Sequence, residues 1–277
     1  MDKKVKRKYS IGVFDSGFGG IQILKHIVKE LPEYNYIYLG DTARIPYGNR
    51  SQEVIYNFSI QAVDFLFKKG CQLIIFACNT VSSKALHKIQ KEYIPKKYPG
   101  RKVLGVIIPA SEEAILETKN KRVGIIGTQG TVSSGAFKRE LLKIDPEIKV
   151  FQQACPLLVP IVEAGEEKSK ISNWMLEKYL KPLVKNKIDT LILGCTHYGF
   201  LESKIRKIIG GKIQIINEGN IVARKLRKYL RKHSEIEKTL RKKSELKFFT
   251  TDLTEGFKTM GSKFFGKKIK PEKIVLE

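Results

Sequence analysis

The chain has 277 residues, 42 % hydrophobic and 9 % aromatic, which is enough to bury a full core and excludes a disordered or fibrous polymer. Its 52 Lys and Arg against 28 Asp and Glu give a formal net charge of +24. Four cysteines in a chain this long make no disulfide scaffold. Their positions, 71, 78, 155 and 195, offer neither a C-x-x-C pair nor zinc-site spacing, so reduced thiols and a cytoplasmic setting are expected.

The opening MDKKVKRKYS is basic, but the apolar stretch 11–14 is cut off by Asp15 and is too short for a signal-peptide core. That stretch predicts a first strand, followed by Asp15-Ser16-Gly17-Phe18-Gly19-Gly20. A helix is expected over 21–31, where Leu24, Ile27, Val28 and Leu31 recur at i, i+3, i+4 and i+7. A strand over 36–39 leads into Gly40-Asp41-Thr42 and Pro46-Tyr47-Gly48, and one over 73–77 ends in Cys78-Asn79-Thr80. Further strands are expected over 103–106, over 123–126 before Gly127-Thr128-Gln129-Gly130-Thr131, over 190–193 before Gly194-Cys195-Thr196-His197, and over 213–216. Short β-branched runs alternating with helical patterns predict βαβ units, an α/β class and a mainly parallel sheet. No apolar run approaches the roughly 18 residues of a membrane span.

Residues 201–277 hold 21 basic and 9 acidic residues, half of the net positive charge. Their densest part, 224–243, reads as a helix with Val222, Leu226, Tyr229 and Leu230 on one face and Lys or Arg elsewhere, a solvated helix face. Nucleic acid remains an alternative partner on charge alone, because no nucleic-acid-binding motif accompanies it.

Parallel sheets carry their chemistry at the carboxyl ends of their strands. LIIFACNT (73–80) and LILGCTH (191–197) share one plan: an apolar strand, a small residue, a cysteine, then hydrogen-bonding side chains. IGVFDSGFGG and VGIIGTQGT likewise each place a strand before a Gly-rich turn, a faint internal repeat. Cys78 and Cys195 sit where a strand hands over to a helix, whose free N–H groups are expected to lower a thiol pKa below about 8.5. Cys71 and Cys155 read as small buried hydrophobes. Two opposed thiols suit inversion of a carbon centre, where one base abstracts a proton from one face while an acid delivers another to the opposite face.

VFDSGFGG (13–20), GDTARIPYG (40–48), ACNT (77–80), VGIIGT (123–128), ACPLLVPIVEAG (154–165) and GCTHY (194–198) together resemble the glutamate racemase family, in order and spacing, from residue 11 to TTD at 250–252. The resemblance implies two similar α/β domains with the active site in the cleft between them, the first spanning 1–104 and 217–277 and the second 105–216. It implies that Cys78 takes the proton from D-glutamate and Cys195 from L-glutamate, assisted by Asp15, Glu163 and His197. Asp15, Ser16, Tyr47, Gly48, Asn79, Thr80, Thr196 and His197 match the residues that hold the substrate. It further implies no cofactor, a homodimer of unspecified geometry, and a role in supplying D-glutamate for peptidoglycan.

Read on their own, these residues keep plainer alternatives. Asp15 could cap the following helix, Glu163 could be an exposed helix-end carboxylate, and His197 a satisfied core histidine. Asp41-Thr42 could cap or brace a loop, and His26 and His87 read as surface residues. Gly199-Phe200 and Val81-Ser82-Ser83 depart from the family pattern, which has Pro-Leu at the first place and small alanines at the second. Rival enzymes are an aspartate racemase and a one-cysteine arylmalonate decarboxylase relative, the latter disfavoured by the second cysteine. No motif singles out a pyridoxal lysine, and the P-loop pattern is absent.

Overall fold

The computed structural model describes residues 8–277, so the basic start of the chain, 1–7, lies outside the described residues. The expected alternation of strands and helices produces two parallel sheets, each covered by helices on both faces. The first sheet has six strands and the second four. In chain order the strands are β1 Ser10–Asp15, β2 Tyr36–Gly40, β3 Cys71–Phe76, β4 Lys102–Gly105, β5 Arg122–Gly127, β6 Lys149–Ala154, β7 Thr190–Gly194, β8 Gln214–Ile216, β9 Leu246–Thr250 and β10 Pro271–Lys273. The first sheet runs β10-β9-β2-β1-β3-β4 and the second β6-β5-β7-β8, with every pairing parallel.

Parallel neighbours need a crossover, and the helices that supply it also cover the sheet. Helix Gly20–Glu30 turns Ile21, Ile23, Leu24 and Ile27 inward, the face its spacing predicts. Those side chains join a continuous apolar cluster that includes Ile11, Val13 and Ile75 of the first sheet, Leu191 and Leu193 of the second, and Leu226. Burying each such aliphatic side chain contributes about 1.5–3 kcal/mol, so the shared cluster holds the two sheets together as well as each sheet to its helices.

Seven expected strands are present, and three further ones lie outside the expectations. β9 and β10 return from the C-terminal segment to pair with β2 and with each other. β6 was hidden because its sequence, KVFQQA, carries two glutamines on an edge of the second sheet.

The expected helix over 224–243 also differs. It begins earlier and ends earlier, as Glu218–Lys232, because His233 leaves helical geometry (φ −111°, ψ 66°) before a short helix Ser234–Glu237. Leu240 is instead fully buried and bridges to Tyr9. Nor is the basic face wholly solvated: Arg224 pairs with Glu113 at 2.6 Å, Arg227 with Glu30 at 3.0 Å, and Lys225 with Glu112. His26 departs from its surface reading too, being half-buried with Nδ1 2.6 Å from Asn220 Oδ1. Among the described residues no helix is long and apolar enough to cross a membrane.

Candidate active site

Register places the chemistry. β1 pairs with β3 so that Phe14 lies beside Phe76, which brings Asp15-Ser16 and Cys78-Asn79-Thr80 off the same end of the first sheet. β5 pairs with β7 so that Gly127 lies beside Gly194, aligning Thr128 with Cys195-Thr196-His197 off the end of the second. The two ends face each other around a cavity of about 290 Å³.

Ser16, Tyr47, Gly48, Cys78, Asn79 and Thr80 line this cavity from the first sheet's side. Glu163, Cys195, Thr196 and His197 line it from the second. Asp15 is the exception among the predicted residues. It is fully buried behind Ser16, and its Oδ2 accepts from the Gly17 N–H at 3.0 Å. Gly19 stands at the N-cap of helix Gly20–Glu30, yet the Asp15 carboxyl also meets the Gly20 N–H at the start of that helix, so the capping alternative holds in part.

Hydrogen bonds knit the strand-end loops together around the cavity, among them one of 3.4 Å between Thr80 Oγ1 and Thr131 Oγ1. Thr80 Oγ1 meets Thr128 Oγ1 at 2.9 Å, the Gly130 N–H donates to the Gly48 carbonyl at 2.8 Å, and Asn79 Nδ2 donates to Glu218 Oε2 at 2.8 Å. The Gly-rich turn after β1 closes against the Cys195 loop so tightly that a Cβ on Gly19 would stand 2.7 Å from the His197 ring. Only a residue without a side chain fits that approach.

Each cysteine has its own neighbours. Cys78 occupies the N-cap position of helix Asn79–Lys84, with its Sγ 3.4 Å from Ser16 Oγ. Cys195 Sγ lies 3.9 Å from His197 Nδ1, and His197 Nε2 lies 3.1 Å from Glu163 Oε1. His197 and Glu163 are thereby drawn into the site rather than left as a core histidine and a free helix end.

The expected lowering of the thiol pKa values is reversed. Burial pushes Cys78 up to about 11, with the charge of Asp15 adding to it and hydrogen bonds from Ser16 and the Val81 N–H opposing. Burial also raises Cys195 well above an ordinary thiol, and a negative charge on Cys78 raises it further. Desolvation disfavours the thiolate more than the few N–H groups at these strand ends favour it. Because a charge on one sulfur opposes a charge on the other, the pair favours one thiol facing one thiolate over two thiolates. Asp15 is likewise raised, by burial first, with the His197 charge and the Gly17 and Gly20 N–H groups opposing.

Tyr47 is anchored by Asp41, whose Oδ2 accepts from the Tyr47 hydroxyl and from Arg44 Nε at 2.6 Å. Asp41 Oδ1 accepts from Thr251 Oγ1 at 2.8 Å, and Thr42 Oγ1 donates to the Asp252 carbonyl at 2.8 Å. Asp41-Thr42 therefore braces the loop, and the TTD segment after β9 is what it braces against. Cys71 is a buried hydrophobe as expected, whereas Cys155, equally buried, also lines the cavity. At the departure Gly199-Phe200, Phe200 stacks on Phe264 with ring centroids 3.7 Å apart.

Glu218 was missed. In the sequence it reads as an acidic residue opening a basic helix, with no spacing that links it to Asn79.

Comparison with known proteins decides the family. The Asp/Glu/Hydantoin racemase family matches residues 11–226. The chain belongs to this family. It is accordingly an isomerase acting on amino acids. It is 38 % identical to a glutamate racemase of Geobacter metallireducens over 261 residues, 94 % of either chain. Among solved structures it is similar to the glutamate racemase isoform RacE1 of Bacillus anthracis, with a TM-score of 0.89, 34 % identity and 98 % of each chain covered. It is also similar to the Francisella tularensis glutamate racemase in complex with D-glutamate, with a TM-score of 0.87, 33 % identity, and 98 % and 99 % of the two chains covered.

Proposed function

We propose that this racemase interconverts L- and D-glutamate by a two-base mechanism, with Cys78 and Cys195 as the acid/base pair. The observation that carries the reading is that each cysteine comes off a different sheet and both line one cavity, beside groups suited to an amino acid's charged ends. Residues 1–104 with 217–277 form one wall in this reading, and residues 105–216 the other.

Cys78 as thiolate takes the α-proton of D-glutamate while Cys195 as thiol delivers one to the opposite face, and the roles exchange for L-glutamate. The buildup of negative charge at the α-carbon and carboxylate is met by hydrogen-bond donors already in place: Ser16, Thr80 and Thr196 hydroxyls and the backbone N–H groups of the strand-end turns. Gly48 contributes backbone only, and Tyr47 forms the wall of the loop that Asp41 fixes. His197, held by Glu163, is the base that draws the Cys195 proton, while Ser16 supports the Cys78 thiolate. Asp15 acts from behind, balancing the His197 charge without touching the substrate. The substrate's ammonium group adds the positive charge that an elevated thiol pKa calls for.

The reading also takes the enzyme to need no cofactor, to work as a cytoplasmic homodimer, and to supply D-glutamate for peptidoglycan. Offering L-glutamate in deuterated water tests it. Loss of optical activity with one deuterium gained at the α-carbon, surviving exhaustive dialysis, is the expected result. A preference for aspartate, or activity restored only by pyridoxal phosphate, contradicts it.

A further inference from the structure

The mechanism leaves a buried carboxyl group unused. Glu218 opens helix Glu218–Lys232, directly after β8 of the second sheet, and is 3 % exposed. Its side chain is tied to Asn79, which follows β3 of the first sheet: Asn79 Nδ2 donates to Glu218 Oε2 at 2.8 Å. Asn79 is itself 2 % exposed and lines the cavity, and its Oδ1 has no partner among the described residues.

An asparagine amide has two ends of nearly equal shape and opposite hydrogen-bonding character. What faces the ligand depends on what holds the other end. An ionised carboxylate only accepts, so Glu218 in that form selects the NH₂ end of Asn79, the end that faces it here. The carbonyl oxygen is then left for the ligand. Turned over, the amide would present two donors to an ammonium group, which is itself donor only, and would leave Glu218 facing an acceptor.

We propose that Glu218 is a positioning residue, which sets the orientation of the Asn79 amide so that Oδ1 accepts from the ammonium group of the bound amino acid. The proposal rests on Asn79 being a substrate-holding residue, as read above. It also accounts for an otherwise costly feature, a carboxyl group buried with one oxygen unpartnered.

Two substitutions test it. E218M keeps the volume and removes the acceptor; E218Q keeps an acceptor but can also donate, so it weakens the selection without abolishing it. Losing one buried hydrogen-bond constraint predicts about a tenfold rise in KM for glutamate in E218M and about a two- to threefold rise in E218Q, with kcat little changed. E218M is expected to melt no lower than the parent, because a buried carboxyl group is replaced by an apolar one. Equal KM in all three proteins overturns the proposal. So does an equal change of kcat in both variants with KM unmoved, which would mean that Glu218 acts by its charge on Cys195.

A neutron structure of the parent with D-glutamate gives a reading independent of any variant. Asn79 Oδ1 against the ammonium group supports the assignment, and the NH₂ end there overturns it. A parent that does not racemise glutamate refutes the substrate reading itself, whereas a normal parent with indifferent variants refutes only the role of Glu218.

Discussion

The two halves of the site are built on one plan and finished differently. Cys78, from the first sheet, has a hydroxyl beside its sulfur, with Ser16 at 3.4 Å. Behind that hydroxyl, Asp15 is fully buried. Cys195, from the second, has an imidazole at 3.9 Å, backed by a carboxylate at 3.1 Å. A hydroxyl can steady a thiolate but has little power to take a proton from a thiol at neutral pH; an imidazole can do both. The repeat thus supplies two equivalent positions, and the neighbours make them unequal. Burial raises both thiols, and only Cys195 has an imidazole base beside it.

The largest effect tests the shared plan. C78S and C195S are each expected to lower racemisation by about 10²–10⁴-fold, the range for loss of a positioned acid/base, measured by polarimetry and α-deuteration. A variant that racemises normally would remove its cysteine from the chemistry.

The next tests the inequality. H197N is expected to lower kcat/KM by about 10²-fold, and E163Q by less, since Glu163 reaches the sulfur only through His197. Because a racemisation has an equilibrium constant of one, kcat/KM must fall equally in both directions. The asymmetry appears instead in the isotope effect, which should rise for α-deuterated L-glutamate, the substrate assigned to Cys195, and not for the D-enantiomer. Equal isotope effects would make the two halves functionally alike.

A smaller effect probes how closely the halves approach. G19A drives a Cβ to 2.7 Å from the His197 ring and is expected to cost about 1–3 kcal/mol of stability together with activity. Unchanged melting and kinetics would show the turn to be looser than described.

The pH dependence is the finest test. Cys78 is raised from an ordinary 9.0 to about 11, so the folded protein holds this proton longer than the unfolded chain does. The stability this contributes is fully present below pH 9.0 and is lost as pH rises through about 11. Over the same window the Cys78 thiolate, and with it abstraction from D-glutamate, should increase. C78S should flatten the alkaline fall in melting temperature, and an identical fall in both proteins would contradict the assignment.

How much of this the sequence disclosed follows from the range of each signal. β1, β2, β3, β5 and β7 are continuous apolar runs in sheet interiors, and the polar loops that follow them are where the cavity forms. β10 is three residues at a sheet edge, beginning with Pro271, and carries no apolar period to find. Cys78, Cys195 and the pairs beside them were legible because they abut a strand end, a local feature. The bond between Asn79 and Glu218 joins residues far apart in sequence, and the bracing of Asp41 by Thr251 does the same. Such partners depend on which distant segments the fold brings together, β9 beside β2 in one case and the helix after β8 beside the β3 turn in the other. The direction of the thiol pKa shifts was misread for a related reason: the favourable N–H groups are local, while the burial that outweighs them comes from tertiary packing around each sulfur.

The central claim is that two sulfurs address one stereocentre from opposite sides. A crystal structure of this enzyme with D-glutamate bound tests it most directly. The account predicts the Cys78 and Cys195 sulfurs on opposite faces of the α-carbon, each within about 3.5 Å of it. Both sulfurs on one face, or one turned away from the ligand, would contradict it.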